Sequence, residues 1–386
     1  MNQKGIYSLV GRLTPVLIVL MIQTVVYSQP ENARLVWSDE FSEDGAPDDT
    51  KWGYEIGGGG WGNNELQYYT SRQENVKVEN GNLVITARKE SYGGMNYTSS
   101  RIVTREKGDW LYGRIEIKAK LPEGRGTWPA IWMYPTDAEY GGWPSSGEID
   151  IMEHVGYDMG YVHATIHTEI YNGALGTQKG NQIYIPDVHT AFHVYALEWT
   201  EDTLKFFADD VLYFIYLNTH TGYTTWPFDK RFFLIQNIAI GGNWGGIQGV
   251  DDEIFPQTLE VDYVRVYELF RRHSIQGPTE VNANEENISF SIITFEGAEY
   301  TWSFPEGVTI ISGQGTASVN VNWGENPGTV SVIQSYEGTS YTSVLDVSTI
   351  AAPGDGPLNI NSNEEDFGTW TVNPGSGNTI EMEYEE

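Results

Sequence analysis

The sequence has no cysteine in its 386 residues. That absence excludes a disulfide framework, a thiolate zinc site and a cysteine nucleophile. Cations are scarce: 22 Lys and Arg stand against 53 Asp and Glu, a formal net charge of −31. Nucleic acid and anionic lipid repel a chain this acidic, so neither is expected as a partner. Amphipathic stretches of helical period and length are also lacking, and the one sustained apolar run is at the N-terminus.

The shortage of cations is uneven. Residues 273–386 carry 17 acids and no Lys or Arg, whereas 36 acids and all 22 basic residues precede them. Two electrostatic regimes in one chain predict a domain boundary near residue 272. Residues 1–28 hold Lys4 and Arg12, no acid, an apolar run over 13–26 and a small residue, Ser28, at the end. This is the pattern of a cleaved signal peptide. It predicts a protein secreted or held at the cell surface, with no membrane span left after cleavage.

Aromatic residues and glycine are abundant: 13 Trp, 24 Tyr, 14 Phe and 43 Gly. Disordered acidic chains are poor in aromatics, so this one is expected to fold. Across residues 29–272 short runs alternate with period two. In G-R-I-E-I-K-A-K (113–120), Ile115, Ile117 and Ala119 share one face, and Arg114, Glu116, Lys118 and Lys120 share the other. Turn residues such as Asn80-Gly81 separate the runs. The pattern predicts an all-β fold, one large sandwich or jelly roll. Residues 273–350 repeat it on the scale of a small Ig-like β-sandwich. Residues 351–386 read as a linker and tail, or the start of a further module.

The stretch richest in chemistry is G-E-I-D-I-M-E-H (147–154). Period two puts Glu148 and Asp150 on one face of a strand and Glu153 on the other. A single β-bulge at Ile151 or Met152 would bring Glu153 round to join them. Crowding carboxylates is costly, because burial and like charge raise their pKa values. Glycoside hydrolysis needs such a pair with split values, one carboxylate to attack the anomeric carbon and one acid to protonate the leaving oxygen. Glu148 and Glu153 are the natural pair, with Asp150 between them.

Here the sequence resembles glycoside hydrolase family 16, in its laminarinase-like branch. The resemblance runs from Leu35 to Tyr267 and rests on W-S-D-E-F (37–41), N-N-E-L-Q-Y-Y (63–69), Y-G-R-I-E-I-K-A-K-L-P (112–122), W-P-A-I-W-M (128–133), E-I-D-I-M-E and G-G-N-W-G-G (241–246). It implies a β-jelly roll, retention at the anomeric carbon, Glu148 as nucleophile, Glu153 as general acid/base and Asp150 tuning both. It implies a β-1,3-glucan substrate; mixed-linkage glucan and agar remain alternatives, as does a sugar-binding jelly roll without catalysis. No cofactor is expected for catalysis. The second region resembles the PKD-like modules that follow catalytic domains, through G-Q-G-T-A-S-V-N-V-N-W (313–323).

Flat aromatic rings stack on sugar faces. Trp128 and Trp132 lie near the acids in sequence, and Trp61 and Trp244 sit in glycine-rich loops, so these four are candidate substrate contacts. Trp52, Trp110 and Trp199 read equally well as core. In V-H-A-T-I-H (162–167), alternation places His167 on one face with His163, and a neighbouring strand would bring it to the carboxylates or the sugar. The resemblance adds Asn64 and Arg101 as hydroxyl-binding positions. It also implies a structural calcium on Asp262, Gly81 and Glu40; Asp262, read as sharing a face with Val264 and Val266, needs some partner.

Overall fold

The computed structural model describes Pro30, residues 32–350 and, as backbone, the strands Thr371–Val372 and Met382–Glu383. The expected signal segment lies outside the described residues, as does most of the expected tail. The described chain is built of strands, with one 3-10 turn at Asp252–Ile254. It divides into two compact units between Arg271 and Arg272.

The first unit is a sandwich of a ten-stranded and an eight-stranded sheet. Apolar residues of period two from each sheet share one core, where Ile115, Ile117, Leu197 and Val264 pack with Ile149, Ile151, Ile166 and Leu234. Trp52 and Trp199 are fully buried here, and Trp110 packs against the same cluster. Their sequence neighbourhoods gave no reason to prefer a ligand, and packing is where they went.

The expected charged face of the strand Gly113–Lys120 is not open to solvent. Arg114 and Glu116 are buried, at 5% and 8% exposure. Arg114 donates to Glu116 at 2.6 Å, Glu198 at 3.0 Å and Asp210 at 3.2 Å. Lys118 pairs with Asp262 at 2.6 Å and Lys120 with Glu260 at 3.0 Å. The outer surface of this sheet is thus a ladder of ion pairs. Removing one member of its buried part would strand the other charges, which is the costly case for such pairs.

The eight-stranded sheet carries the site. Five of its strands matter: β1 (Arg101–Val103), β2 (Thr127–Pro135), β3 (Glu148–Glu153), β4 (Tyr161–His167) and β5 (Phe232–Ile240). They lie in the order β4-β3-β2-β5-β1, each antiparallel to its neighbour. β3 has the bulge that its acids required. Against β4, Asp150 pairs with Thr165 and Glu153 with His163, three residues facing two. Against β2, Met152 pairs with Ile131 and Asp150 with Trp132, so Ile151 is the extra residue. Ile149, Ile151 and Met152 are all fully buried in the core, which forces the acids to the opposite side.

A second bulge corrects the reading of Asp262. The register of the strand Gln257–Leu269 shifts between Val261 and Tyr263. Val261, Val264 and Val266 therefore face the core while Asp262 turns outward to Lys118. Period two, applied without the bulge, put it on the wrong face.

The second unit has sheets of four and three strands around Phe290, Trp302, Val321, Trp323, Val330 and Val332. Its two buried tryptophans are structural.

Candidate active site

Glu148, Asp150 and Glu153 line one face of β3. Asp150 is 3% exposed, while the two glutamates open partly to the cleft. Each has a different neighbour. The Trp128 Nε1 donates to Glu153 Oε1 at 3.0 Å. His167 Nε2 lies 3.3 Å from Asp150 Oδ2 and 3.6 Å from Glu148 Oε1. These contacts follow from register, since Glu148 sits opposite His167 across the β3–β4 pair. Glu148, Asp150 and His167 have ligand atoms within 4.8 Å of one another.

Burial pushes all three carboxyls up to about 8, and Asp150 and its neighbours add repulsion at both glutamates. At Glu148, His167 and Arg101 pull the other way; at Glu153, His167 and the Trp128 hydrogen bond do. The sequence reading expected surroundings that split the values. Instead the surroundings raise all three, and a split must come from coupling: the first to ionise opposes the next. Arg101 acts on Glu148, which favours that group as the first to lose its proton.

The expected sugar contacts fall into three groups. Arg101, at the start of β1, lies between two rings, with its guanidinium 4.9 Å from the Trp61 centroid and 4.7 Å from that of Trp132. Its Nε is 2.7 Å from Glu55. Trp244 stands edge-on to Trp128 at 5.6 Å, and His163 packs against Trp244 at 5.0 Å. Asn64 donates to Asn243 Oδ1 at 2.8 Å, joining the two glycine-rich loops. Gly245 lets its loop press on Trp128: a Cβ there would lie 2.8 Å from the Trp128 Cβ and 2.7 Å from the Gly241 carbonyl.

Several supporting residues escaped the sequence reading. Asn237 on β5 accepts from Trp132 Nε1 at 2.8 Å and donates to Tyr69 at 3.1 Å, and Tyr69 in turn donates to the buried Glu65 at 3.2 Å. This chain of contacts fixes the Trp132 ring from behind. Glu55 anchors Arg101, and Trp143 places its ring 5.9 Å from that of His167. No local pattern marks them, because each acts on a residue far away in sequence. His154, next to Glu153, is buried and accepts from the Gly160 amide, and burial lowers its pKa to about 4.

The calcium expected at Asp262, Gly81 and Glu40 does not fit these residues as they stand. Glu40 receives two bonds from Arg265, at 2.9 and 2.8 Å, and Asp262 is paired with Lys118. Gly81 is a left-handed turn residue, at φ 76°. A calcium ion here would have to displace two cations of the protein.

With this geometry in view, the wider comparison is direct. Residues 63–265 match the glycosyl hydrolases family 16, and residues 270–347 match the PKD-like domain. The chain belongs to glycosyl hydrolase family 16. A β-glucanase of Rhodothermus marinus is 57% identical over 242 residues, covering 61% of this chain and 85% of that protein. The laminarinase structure from Rhodothermus marinus has a TM-score of 0.61 and 56% identity, over 62% of this chain and 98% of that one. The catalytic domain of an endo-1,3-β-glucanase (laminarinase) from Thermotoga petrophila RKU-1 has a TM-score of 0.57 and 43% identity, over 63% and 100%. Fold and family are as the motifs implied: an all-β jelly roll followed by a PKD-like domain.

Proposed function

We propose that this protein is an exported endo-glycosidase that hydrolyses β-1,3-glucan with retention of configuration. One observation carries the reading: a bulged strand sets Glu148, Asp150 and Glu153 on one face, beside Trp128, Trp132 and Trp244. A protein that only binds sugar has no use for three buried carboxyls whose ionisation the fold opposes. The names of the relatives support the choice of glucan, and the N-terminal sequence supports export.

The steps follow from the neighbours of each acid. Glu148 ionises first, helped by Arg101 and His167, and its carboxylate attacks the anomeric carbon. Glu153 stays protonated until then. Trp128 donates to its Oε1, so the acidic proton sits on Oε2 and passes to the leaving glycosidic oxygen. Glu153, now ionised, takes a proton from water, which attacks the glycosyl–Glu148 ester and frees the enzyme. Asp150, buried between them, disfavours the ionisation of both glutamates together. Trp128, Trp244 and the Trp61–Arg101–Trp132 stack offer ring faces and a guanidinium to the sugar.

Reducing-sugar release from laminarin tests the proposal, with NMR of the first-formed anomer. Release of the β-anomer by the native protein, absent in Glu148→Ser, is the expected result. Equal release by both would remove Glu148 from its role. Faster release from mixed-linkage glucan or agarose would reassign the substrate.

A further inference from the structure

Glu148, Asp150 and His167 gather ligand atoms within 4.8 Å, a spacing that suits a metal ion. The hydrogen bond on the far side of the imidazole decides otherwise. His167 Nδ1 receives the backbone N–H of Gly173 at 3.1 Å. A backbone amide can only donate, so Nδ1 must offer its lone pair, and the uncharged ring carries its proton on Nε2. Nε2 is the atom that faces Asp150 Oδ2 at 3.3 Å and Glu148 Oε1 at 3.6 Å. A metal-binding histidine has the reverse arrangement: it donates through one nitrogen and ligates through the other.

The loop that supplies the amide is built for the purpose. Asn172, 2% exposed, donates to the carbonyls of Thr168 at 3.2 Å and Glu169 at 3.0 Å, and accepts from the Leu175 amide at 3.1 Å. Its own amide is bonded to Thr177 Oγ1 at 3.1 Å. Every polar atom of this buried side chain is spent on holding the turn.

We propose that His167 is a positioning residue. The Asn172–Gly173 turn fixes its tautomer so that the Nε2–H side of the ring faces Asp150 Oδ2 and Glu148 Oε1, favouring the nucleophile's carboxylate form by electrostatic attraction and leaving no lone pair for a metal. This rests on the reading of Glu148 as nucleophile. The charged or titratable groups that meet His167 or its partners include Glu148, Asp150 and Glu153 from β3, Arg101 from β1 and Tyr134 from β2. A donor aimed at the ionised form favours it, so its loss makes the nucleophile harder to ionise.

Two measurements on the full chain test this. The first is nitrogen-15 NMR of the histidine rings, with His167→Gln used to assign the signal among the seven histidines. The uncharged His167 ring is expected to show protonated Nε2 and bare Nδ1, unmoved by added zinc. A proton on Nδ1, or a zinc-dependent shift of this ring, overturns the proposal. The second is the pH profile on laminarin. His167→Leu is expected to lose roughly 10- to 100-fold in kcat with little change in KM. The acid limb of its kcat/KM profile is expected to move up by about one pH unit. His167→Gln, whose amide also carries N–H groups, is expected to recover most of both. Asn172→Ala should shift the limb in the same direction, by less. An unmoved limb in a folded His167→Leu protein overturns the proposal. The ring tautomer is read without substrate, so failure of the laminarin assignment and failure of the lock are separate results.

Discussion

Trp128 is bound to the acid it flanks: its indole N–H donates to Glu153 Oε1 at 3.0 Å while its ring meets Trp244 edge-on. One side chain thus shapes the cleft and orients a carboxyl. Trp128→Phe separates the two duties, because it keeps a ring and loses the donor. We expect kcat on laminarin to fall roughly tenfold or more, with a smaller change in KM. Steady-state kinetics checks this; a change confined to KM would mean that the hydrogen bond has no part in the chemistry.

Glu153→Gln removes the proton donor and leaves the nucleophile. Laminarin hydrolysis should drop by about 10²–10⁴-fold. An aryl glycoside with a good leaving group needs no acid for the first step, so its burst of released phenol should survive. Stopped-flow absorbance reads the burst, and its absence would return Glu153 to a structural role.

The three raised carboxyls link stability to pH with a definite sign. Asp150 ordinarily titrates near 3.8, and burial lifts it to about 8. Between those values the native state holds a proton that the unfolded chain has released. Stability therefore falls as pH rises through this window and is highest toward its acid end. Thermal melts at pH 5 and pH 8 should show this slope, and Asp150→Asn should flatten it. At pH 8 the substitution should raise Tm by roughly 2–4 °C, the shift that about 1 kcal/mol gives a domain of this size. An unchanged or steeper slope in Asp150→Asn would count against the assignment.

The bulge in β3 makes a sharper test of topology than any substitution. Deleting Ile151 removes the extra residue and leaves E-I-D-M-E in strict alternation, so Glu148, Asp150 and Glu153 still share the cleft face while Ile149 and Met152 face the core. The deletion protein is expected to fold and to keep hydrolysing laminarin, losing about 2–5 kcal/mol of stability with the buried Ile151 side chain. Circular dichroism and soluble yield would show it. An unfolded product, or a folded one without hydrolysis, would mean that the bulge does more than bring Glu153 to this face.

Much of this site was legible because β3 writes its geometry locally. Three acids at positions 148, 150 and 153 amid Ile149, Ile151 and Met152 make sense on one face only if a residue is extra. The same logic failed at Asp262, where the neighbours Val261, Tyr263 and Val264 are all apolar and give no sign of the shift. Asn237, Glu55 and Gly173 were invisible for another reason. Their partners, Trp132, Arg101 and His167, come within reach only once the strand order and the loop's path are set, and no spacing along the chain encodes either. The burial of Arg114 and Glu116 was not legible either, because alternation reports which side of a strand is polar, not whether that side is covered.

The lack of Lys and Arg beyond residue 272 has a practical sequel. The two units part between Arg271 and Arg272, and Arg272 is exposed. A protease that cuts after basic residues finds its last site at this seam and none beyond it. Trypsin should therefore release residues 273–386 as one peptide, with a single sharp mass. Amine-reactive labels directed at lysine should leave that piece unmarked. The acidic region is therefore recoverable as one piece without engineering a cleavage site.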